Sequence, residues 1–265
     1  MLDVEFTQLS DTGRVRDHNE DYLGYVLPYT PAQLRSHGCV FALADGVGGG
    51  RKGEVASQLA GESLLEGFSK AKAGEVHKAL LTRLVREANL KVYEEARSSP
   101  SSAGMATTIV AAALRADRAT IAHVGDSRCY LVRDGRARQI TRDHTIAAEQ
   151  ERLGVLSAKA AAESSNRHVL SRSVGNDMVV NVEIDELQLQ KGDVLMQCSD
   201  GLHGSVVPDD IAAVVSRTES LRAAAEKLVV IANERDGEDN ISVQLIRVHD
   251  VDRTGMYRGR PYNLR

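Results

Sequence analysis

Three apolar runs in this chain meet an aspartate at one end. Asp45 closes VFALAD and opens onto GVGGG, Asp200 closes VLMQCSD, and Asp239 in GEDN stands just ahead of ISVQLIRV. Strands with acids at their ends can bring several carboxylates into one cleft at the rim of a sheet, where mutual repulsion is offset by a divalent cation. Arg16 and Glu20 in RVRDHNED, Gly46 beside Asp45, Asp126 in VGDSR and Asn240 beside Asp239 complete the constellation. Each alone is weak, because Asp-Gly pairs mark turns more often than ligand sites. Their joint occurrence at strand ends carries the reading.

Hard oxygen donors without a local His/Cys cluster favour Mg²⁺ or Mn²⁺ over zinc. With Glu20, Asp45, Asp200 and Asp239 ionised, four negative charges face the four positive charges of two divalent ions. One ion would leave the site too negative to admit a phosphate dianion. Two ions sharing a water lower its pKa and aim it for in-line attack on phosphorus. Arg16, four residues before Glu20, is placed to clamp phosphoryl oxygens bidentately.

These residues need elements to position them. EFTQLS, DYLGYVLP and CVFALAD read as strands, and residues 51–69 and 75–97 as helices whose apolar positions, Val55, Leu59, Leu64 and Leu65, then Leu80, Leu84, Ala88 and Val92, recur at three-to-four spacing. TTIVAAALR, ATIAHVGD, SRCYLVRDG and RARQIT form a long β stretch with a hairpin at Asp134-Gly135. From Thr145 to Arg167 the chain turns Ala-, Glu- and Ser-rich, predicting a short helix and a mobile lid-like excursion. VNVEIDELQL, DVLMQCSD and ISVQLIRV are later strands, with helices over Asp209–Arg217 and Leu221–Glu234. Strands in blocks and helices in pairs point to an α+β fold: two mostly antiparallel sheets with helices packed outside. We expect one domain over 1–250, with a polar, basic and frayed tail over 251–265.

Composition narrows the function. A net charge of −4 and 4% aromatics give no basic stripe for nucleic acid. No stretch approaches the ~18 apolar residues of a spanning helix, so neither nucleic acid nor membrane is an expected partner and the cytoplasm is the default compartment. Cys39, Cys129 and Cys198 are odd in number and unclustered, which predicts buried, reduced thiols.

In order and context the motifs resemble the metal-dependent protein phosphatases of the PP2C (PPM) family, compact bacterial branch. RVRDHNED is similar to the family's NED motif, LADGVGG to DGxGG and GMATT to its Gly-Thr-Thr segment; VGDSR, TRDHT, VLSRSVG, CSDGL and EDN follow in family order, over roughly residues 4–248. The resemblance implies a four-layer α-β-β-α sandwich that hydrolyses phosphoserine and phosphothreonine in proteins. It implies that Asp45 bridges two Mn²⁺ or Mg²⁺ ions, with Gly46 offering its carbonyl, Asp200 and Asp239 on the first ion and Glu20 supporting the second. Asp126 with Asp200 would hold a third, weaker ion, and Arg16 the substrate phosphate. The 145–167 excursion matches the family's flap, and a bacterial Ser/Thr kinase and its substrates are the implied partners. Val47 stands where animal-type relatives carry a histidine thought to protonate the leaving alkoxide, so no side chain is assigned that role; a metal-bound water on the third ion is the expected donor, with His18, His144 and His203 as alternatives. Ala106 in place of the usual glycine reads as neutral.

Rival classes fare worse. GGGRKG at 48–53 formally fits a dinucleotide fingerprint, but a second helix follows where a parallel unit needs a strand, and Asp45 would repel a pyrophosphate. An aspartyl-nucleophile phosphatase wants Asp-x-Asp, whereas Gly46 and Val47 follow Asp45. A non-catalytic binding module that keeps the sandwich is the third option, and metal-dependent turnover separates it from the enzyme.

Overall fold

The computed structural model describes residues 1–47 and 52–251, with 254–257 and 260–263 as backbone. Glycines 48–50 and Arg51, which carry most of GGGRKG, lie outside the described residues.

Two antiparallel sheets face each other. The first has the order β1 (Asp3–Asp11), β11 (Ile241–Asp250), β10 (Val194–Cys198), β7 (Arg128–Arg133), β8 (Arg136–Gln139). The second runs β2 (Asp21–Val26), β3 (Cys39–Val47), β5 (Ile109–Arg115), β6 (Arg118–Val124), β9 (Glu183–Gln188), with the two-residue β4 (Ala106–Thr107) pairing the end of β3. Helices α2 (Gly53–Ser69) and α3 (His77–Ala96) cover the outer face of the second sheet, and α7 (Pro208–Arg217) with α8 (Leu221–Arg235) cover the first. The result is the expected four-layer α-β-β-α sandwich.

Period-2 alternation explains the layers. On β3, Val40, Ala42 and Ala44 face the α2/α3 layer, whereas Cys39, Phe41 and Leu43 face the middle. All six are fully buried, each of the larger ones contributing about 1.5–3 kcal/mol by burial. On β11, Ile241, Val243 and Leu245 face α8, and the alternate positions Val248, Ile246, Gln244 and Ser242 face the middle. That inner row changes from apolar to polar as it approaches Asn240. On β10 the inner row does the same, from Leu195 to Gln197, whose side chain donates to the carbonyls of Phe41 and Val110 across the sandwich, each at 3.4 Å. The space between the sheets is therefore oily at one end and hydrogen-bonding at the other.

The helix face of α2 differs from the expected one. Val55 and Leu59 are only partly buried, while Ala56, Ala60, Leu64 and Phe68 form the packed stripe. Small residues let α2 lie close on the sheet: a Cβ on Gly61 would stand 2.2 Å from the Tyr22 ring. Two short helices went unforeseen, α1 (Pro31–Ser36) and α6 (Asp200–His203), both too brief to show helical periodicity. The excursion after Thr145 holds two helices, α4 (Ile146–Arg152) and α5 (Ala158–Ala162), each capped by a side-chain oxygen of Thr145 or Ser157. Asp134 and Gly135 take positive φ, 51° and 70°, and close the β7–β8 hairpin as expected. In place of a frayed tail, β12 (Thr254–Tyr257) pairs β13 (Arg260–Asn263). The three cysteines are free and fully buried, and burial pushes the Cys39 and Cys129 thiols up to about 12.

Candidate active site

The acids converge at the polar end of the inter-sheet space. Asp45 lies near the end of β3, where its backbone is held from three sides. Its N–H donates to Thr108 Oγ1 (3.0 Å), and its carbonyl accepts from Thr107 Oγ1 (2.7 Å) and the Thr108 N–H (2.8 Å). Thr108 Oγ1 also pairs with Ser127 Oγ at 2.6 Å, which joins the Asp45 strand end to the turn carrying Asp126. Thr107 and Thr108, from GMATT, thus serve as a latch between two acids.

Asn240 organises the opposite wall. Its side-chain oxygen accepts from the Glu20 N–H (2.8 Å), and its amide donates to the carbonyls of Thr12 (2.9 Å) and His18 (3.0 Å). The β1–β2 connection that carries Arg16 and Glu20 is folded around this one side chain. Glu20 then meets the end of β3, its carbonyl accepting from the Gly46 N–H (3.1 Å) and from Ser57 Oγ on α2 (2.5 Å). Gly46 has to be glycine, because a Cβ there would stand 2.4 Å from the Gly53 backbone and 2.7 Å from the Glu20 carbonyl oxygen. A Cβ on Gly53 would stand 2.6 Å from Glu20 Oε2, so the Glu20 carboxylate lies against the start of α2. Asp200 opens α6 immediately after β10, and a Cβ on the following Gly201 would meet the Asn240 carbonyl at 2.2 Å, which brings the Asp200 and Asp239 loops into contact.

The electrostatics show which charges meet. Burial first, and then the charges of Asp21, Asp200, Asp126 and Asp239, push the Asp45 carboxyl well above its ordinary range. Burial and Asp200 push Asp126 up to about 8, and burial and Asp239 raise Asp200. Glu20 is raised by burial and by Glu54. Arg16 is the cation in contact with this group: its Nη2 donates to Asp239 Oδ2 at 2.7 Å, and Asp239, Glu20 and Asp200 all hold it protonated. The structure thus brings Arg16, Glu20, Asp45, Gly46, Asp126, Asp200 and Asp239 to one cleft.

Sequence reasoning missed Asp21. It stands directly opposite Asp45 in the β2–β3 register, and both of its carboxylate oxygens are buried without a hydrogen-bond partner. Burial pushes it up to about 7, against the bias of the nearby Ser242 and Ser199 hydroxyls. The signal was available: Asp21 begins DYLGYV, so the argument from acids at strand ends applies to it as much as to Asp45. His168 was also overlooked. It faces Asp200 closely enough to hold its pKa down in part, and it lines, with Asp126, Arg167 and His203, a cavity of about 330 Å³ between the acidic cleft and the alanines of α4 and α5. The histidines considered for proton donation are placed otherwise. His203 Nε2 lies 3.0 Å from the Asp126 carbonyl oxygen, His144 is engaged with Gly125 and Glu183, and His18 is exposed.

Fold and site together define a four-layer α-β-β-α sandwich with an acid-lined cleft between its sheets, and comparison with known proteins gives its family. A family profile, "Protein phosphatase 2C", matches residues 14–241. The chain belongs to the protein phosphatase 2C family. It is 34% identical over 254 residues to a Listeria welshimeri protein named serine/threonine phosphatase stp, covering 95% of this chain and 96% of that one. It superposes on the Streptococcus agalactiae serine/threonine phosphatase with a TM-score of 0.85 at 31% identity, covering 92% of this chain and 99% of the other. The catalytic domain of the serine threonine protein phosphatase PstP, solved in complex with 2 manganese ions, gives 0.79 at 31% identity, covering 94% and 100%.

Proposed function

We propose that this protein, a serine/threonine phosphatase by family, hydrolyses phosphoserine and phosphothreonine in proteins with the help of two divalent cations, Mn²⁺ or Mg²⁺, and a third held more weakly. The observation that carries this reading is the set of buried, mutually repelling carboxylates around Asp45, whose pKa values stay raised despite the guanidinium of Arg16 at their edge. The donor set fits such ions: it is all oxygen, and the unpartnered Asp21 oxygens are what a hydrated cation shell would satisfy. Asp45 would serve both principal ions, with the Gly46 carbonyl as a further donor; Asp200 and Asp239 would hold the first, Glu20 would support the second, and Asp126 with Asp200 would hold the third.

Cations bound there supply Lewis acidity and a water acidic enough to attack phosphorus in line. The chain's own part is orientation and charge. Arg16 stands at the mouth, where exchanging Asp239 for a phosphoryl oxygen would cost little, since an exposed ion pair is worth about 0–1 kcal/mol. Thr107, Thr108 and Asn240 fix the backbones that carry the acids. Residues 1–250 would form the phosphatase domain, acting in the cytoplasm on the targets of a Ser/Thr kinase.

The test is hydrolysis of a phosphothreonine peptide beside a phosphotyrosine one, with Mn²⁺ and with chelator. Turnover of the first, lost on chelation, is expected; turnover unaffected by chelator would refute the metal reading. A binding-only protein would leave even an aryl phosphate untouched.

A further inference from the structure

A second polar cluster lies outside the cleft. His123 on β6, Glu183 on β9 and His144 just before α4 each place a ligand atom within 4.8 Å of the others. Both histidines are buried, at 0% and 1% exposure, with rings stacked 4.7 Å apart, and His123 Nδ1 has no partner. Two roles compete for this cluster: another cation site, or a clamp on neighbouring backbone.

Proton positions decide between them. The Gly125 N–H donates to His144 Nδ1 at 3.0 Å, so Nδ1 carries the lone pair and the ring's proton stands on Nε2, from which it donates to Glu183 Oε2 at 3.1 Å. A ring in that tautomer has no lone pair on Nε2 to give a metal. Arg172 Nη1 also stands 3.1 Å from Nε2 while donating to the Asn181 carbonyl, which places a guanidinium where a cation would sit. The cation role fails on both counts.

The clamp survives. The His144 N–H donates to the Gly125 carbonyl at 3.0 Å while its ring accepts from the Gly125 N–H, so one residue satisfies both polar groups of the residue before Asp126. Gly125 takes φ +105°, and a Cβ there would stand 2.6 Å from Thr108. On the other side, His144 leads into Thr145, the cap of α4, and its carbonyl accepts from the Ser171 N–H at 2.9 Å. It therefore ties the root of the flap to the turn that aims Asp126.

We propose that His144 is a positioning residue: the chain Glu183, His144, Gly125 fixes the direction of the Asp126 carboxylate and so sets the affinity of the weakest cation. This rests on reading Asp126 as a cation ligand. The experiment is calorimetric Mn²⁺ titration of the full chain as wild type, H144N, H144Q, D126N and H144Q/D126N, with melting curves in chelator. Asparagine can keep an acceptor for the Gly125 N–H; glutamine reaches toward Glu183 but leaves that N–H unpaired.

D126N should abolish the weakest Mn²⁺ step, H144Q should weaken the same step by about tenfold, the low end for residues that orient a ligand, and H144N should stay near wild type. The double variant should bind no worse than D126N. Equal weakening by H144N and H144Q, or lowered melting points with every Mn²⁺ step unchanged, would overturn the inference. If D126N removes a step that H144Q leaves intact, the positioning role alone fails; if D126N changes nothing, the assignment of Asp126 fails and takes this inference with it. Should H144Q not fold, Glu183→Ala, at a half-exposed position, replaces it with the same expectation.

Discussion

Asp126 and Asp143 are near neighbours with opposite surroundings. Asp143 is mostly buried, yet it receives Arg128 bidentately, Nε at 2.9 Å and Nη2 at 2.7 Å, and a further hydrogen bond from Gln139. Burial works to raise its pKa, but Arg128 more than offsets this and holds the carboxyl below its ordinary value. Asp126, two residues from Arg128 along the chain, is pushed up to about 8 by burial and Asp200, with Asp143 adding to the repulsion and Arg128 offsetting only a small part of it. Arg133 and Asp193, at the far end of β7, repeat the first pattern with two 2.7 Å contacts. The fold can neutralise a buried acid from within. Where it does not, around Asp45, Asp21, Asp126 and Asp200, neutralisation is left to something from outside.

The comparison is broken most decisively at Asp45. Asp45→Asn should cut metal-dependent hydrolysis of a phosphothreonine peptide by more than the ~10–100-fold typical of residues one shell further out; near-normal turnover would show that the charge is not needed. Next in size is the contrast in stability. Asp143→Asn leaves Arg128 unpaired and should cost about 3 kcal/mol in denaturant unfolding, whereas Asp21→Asn should stabilise the chelator-treated protein, because it relieves repulsion instead of creating it. Stability losses of the same sign and size would erase the distinction drawn here.

A pH series sharpens it further. The folded-state values of Asp21, about 7, and Asp126, about 8, lie above that of an unfolded carboxylate. The folded protein therefore holds protons that the unfolded chain releases, and this stability is full at acid pH and lost as pH rises through those values. The melting temperature in chelator should fall between about pH 5 and 8, and Mn²⁺ should flatten the slope. A flat profile in chelator would mean that burial and neighbouring acids do not hold these carboxyls protonated. Arg16→Ala should chiefly raise KM for small phosphates, since a clamp used alike in ground and transition states is uniform binding; a kcat loss at constant KM would reassign it. The smallest expected effect is from deletions within 150–166, altering peptide selectivity more than aryl phosphate hydrolysis.

Much of this was legible before the structure, and for a physical reason. Period-2 alternation in CVFALAD and ISVQLIRV fixes which residues face which layer, and an acid at the end of such a run can go only to the rim. Asp21 shows both sides of this: its place at the start of DYLGYV marks it as a strand-end acid, but that it stands opposite Asp45 comes from the β2–β3 register, which no local pattern specifies. The buried face of α2 was misjudged for a related reason: Ala56 and Ala60 carry it, and alanine gives little periodic signal where close approach to the sheet matters more than bulk. The tautomer of His144 depends on where a backbone N–H from a distant turn points, which is purely tertiary information.

The touching backbones at Glu20, Gly46 and Gly53 have one more effect. The main chain there packs with no side chain between to act as a cushion, so any larger residue at Gly46 or Gly53 has to push Glu20 and the end of β3 apart. The spacing of the acids is thus set by the thickness of bare backbone, and a single added methyl group at either glycine would change it.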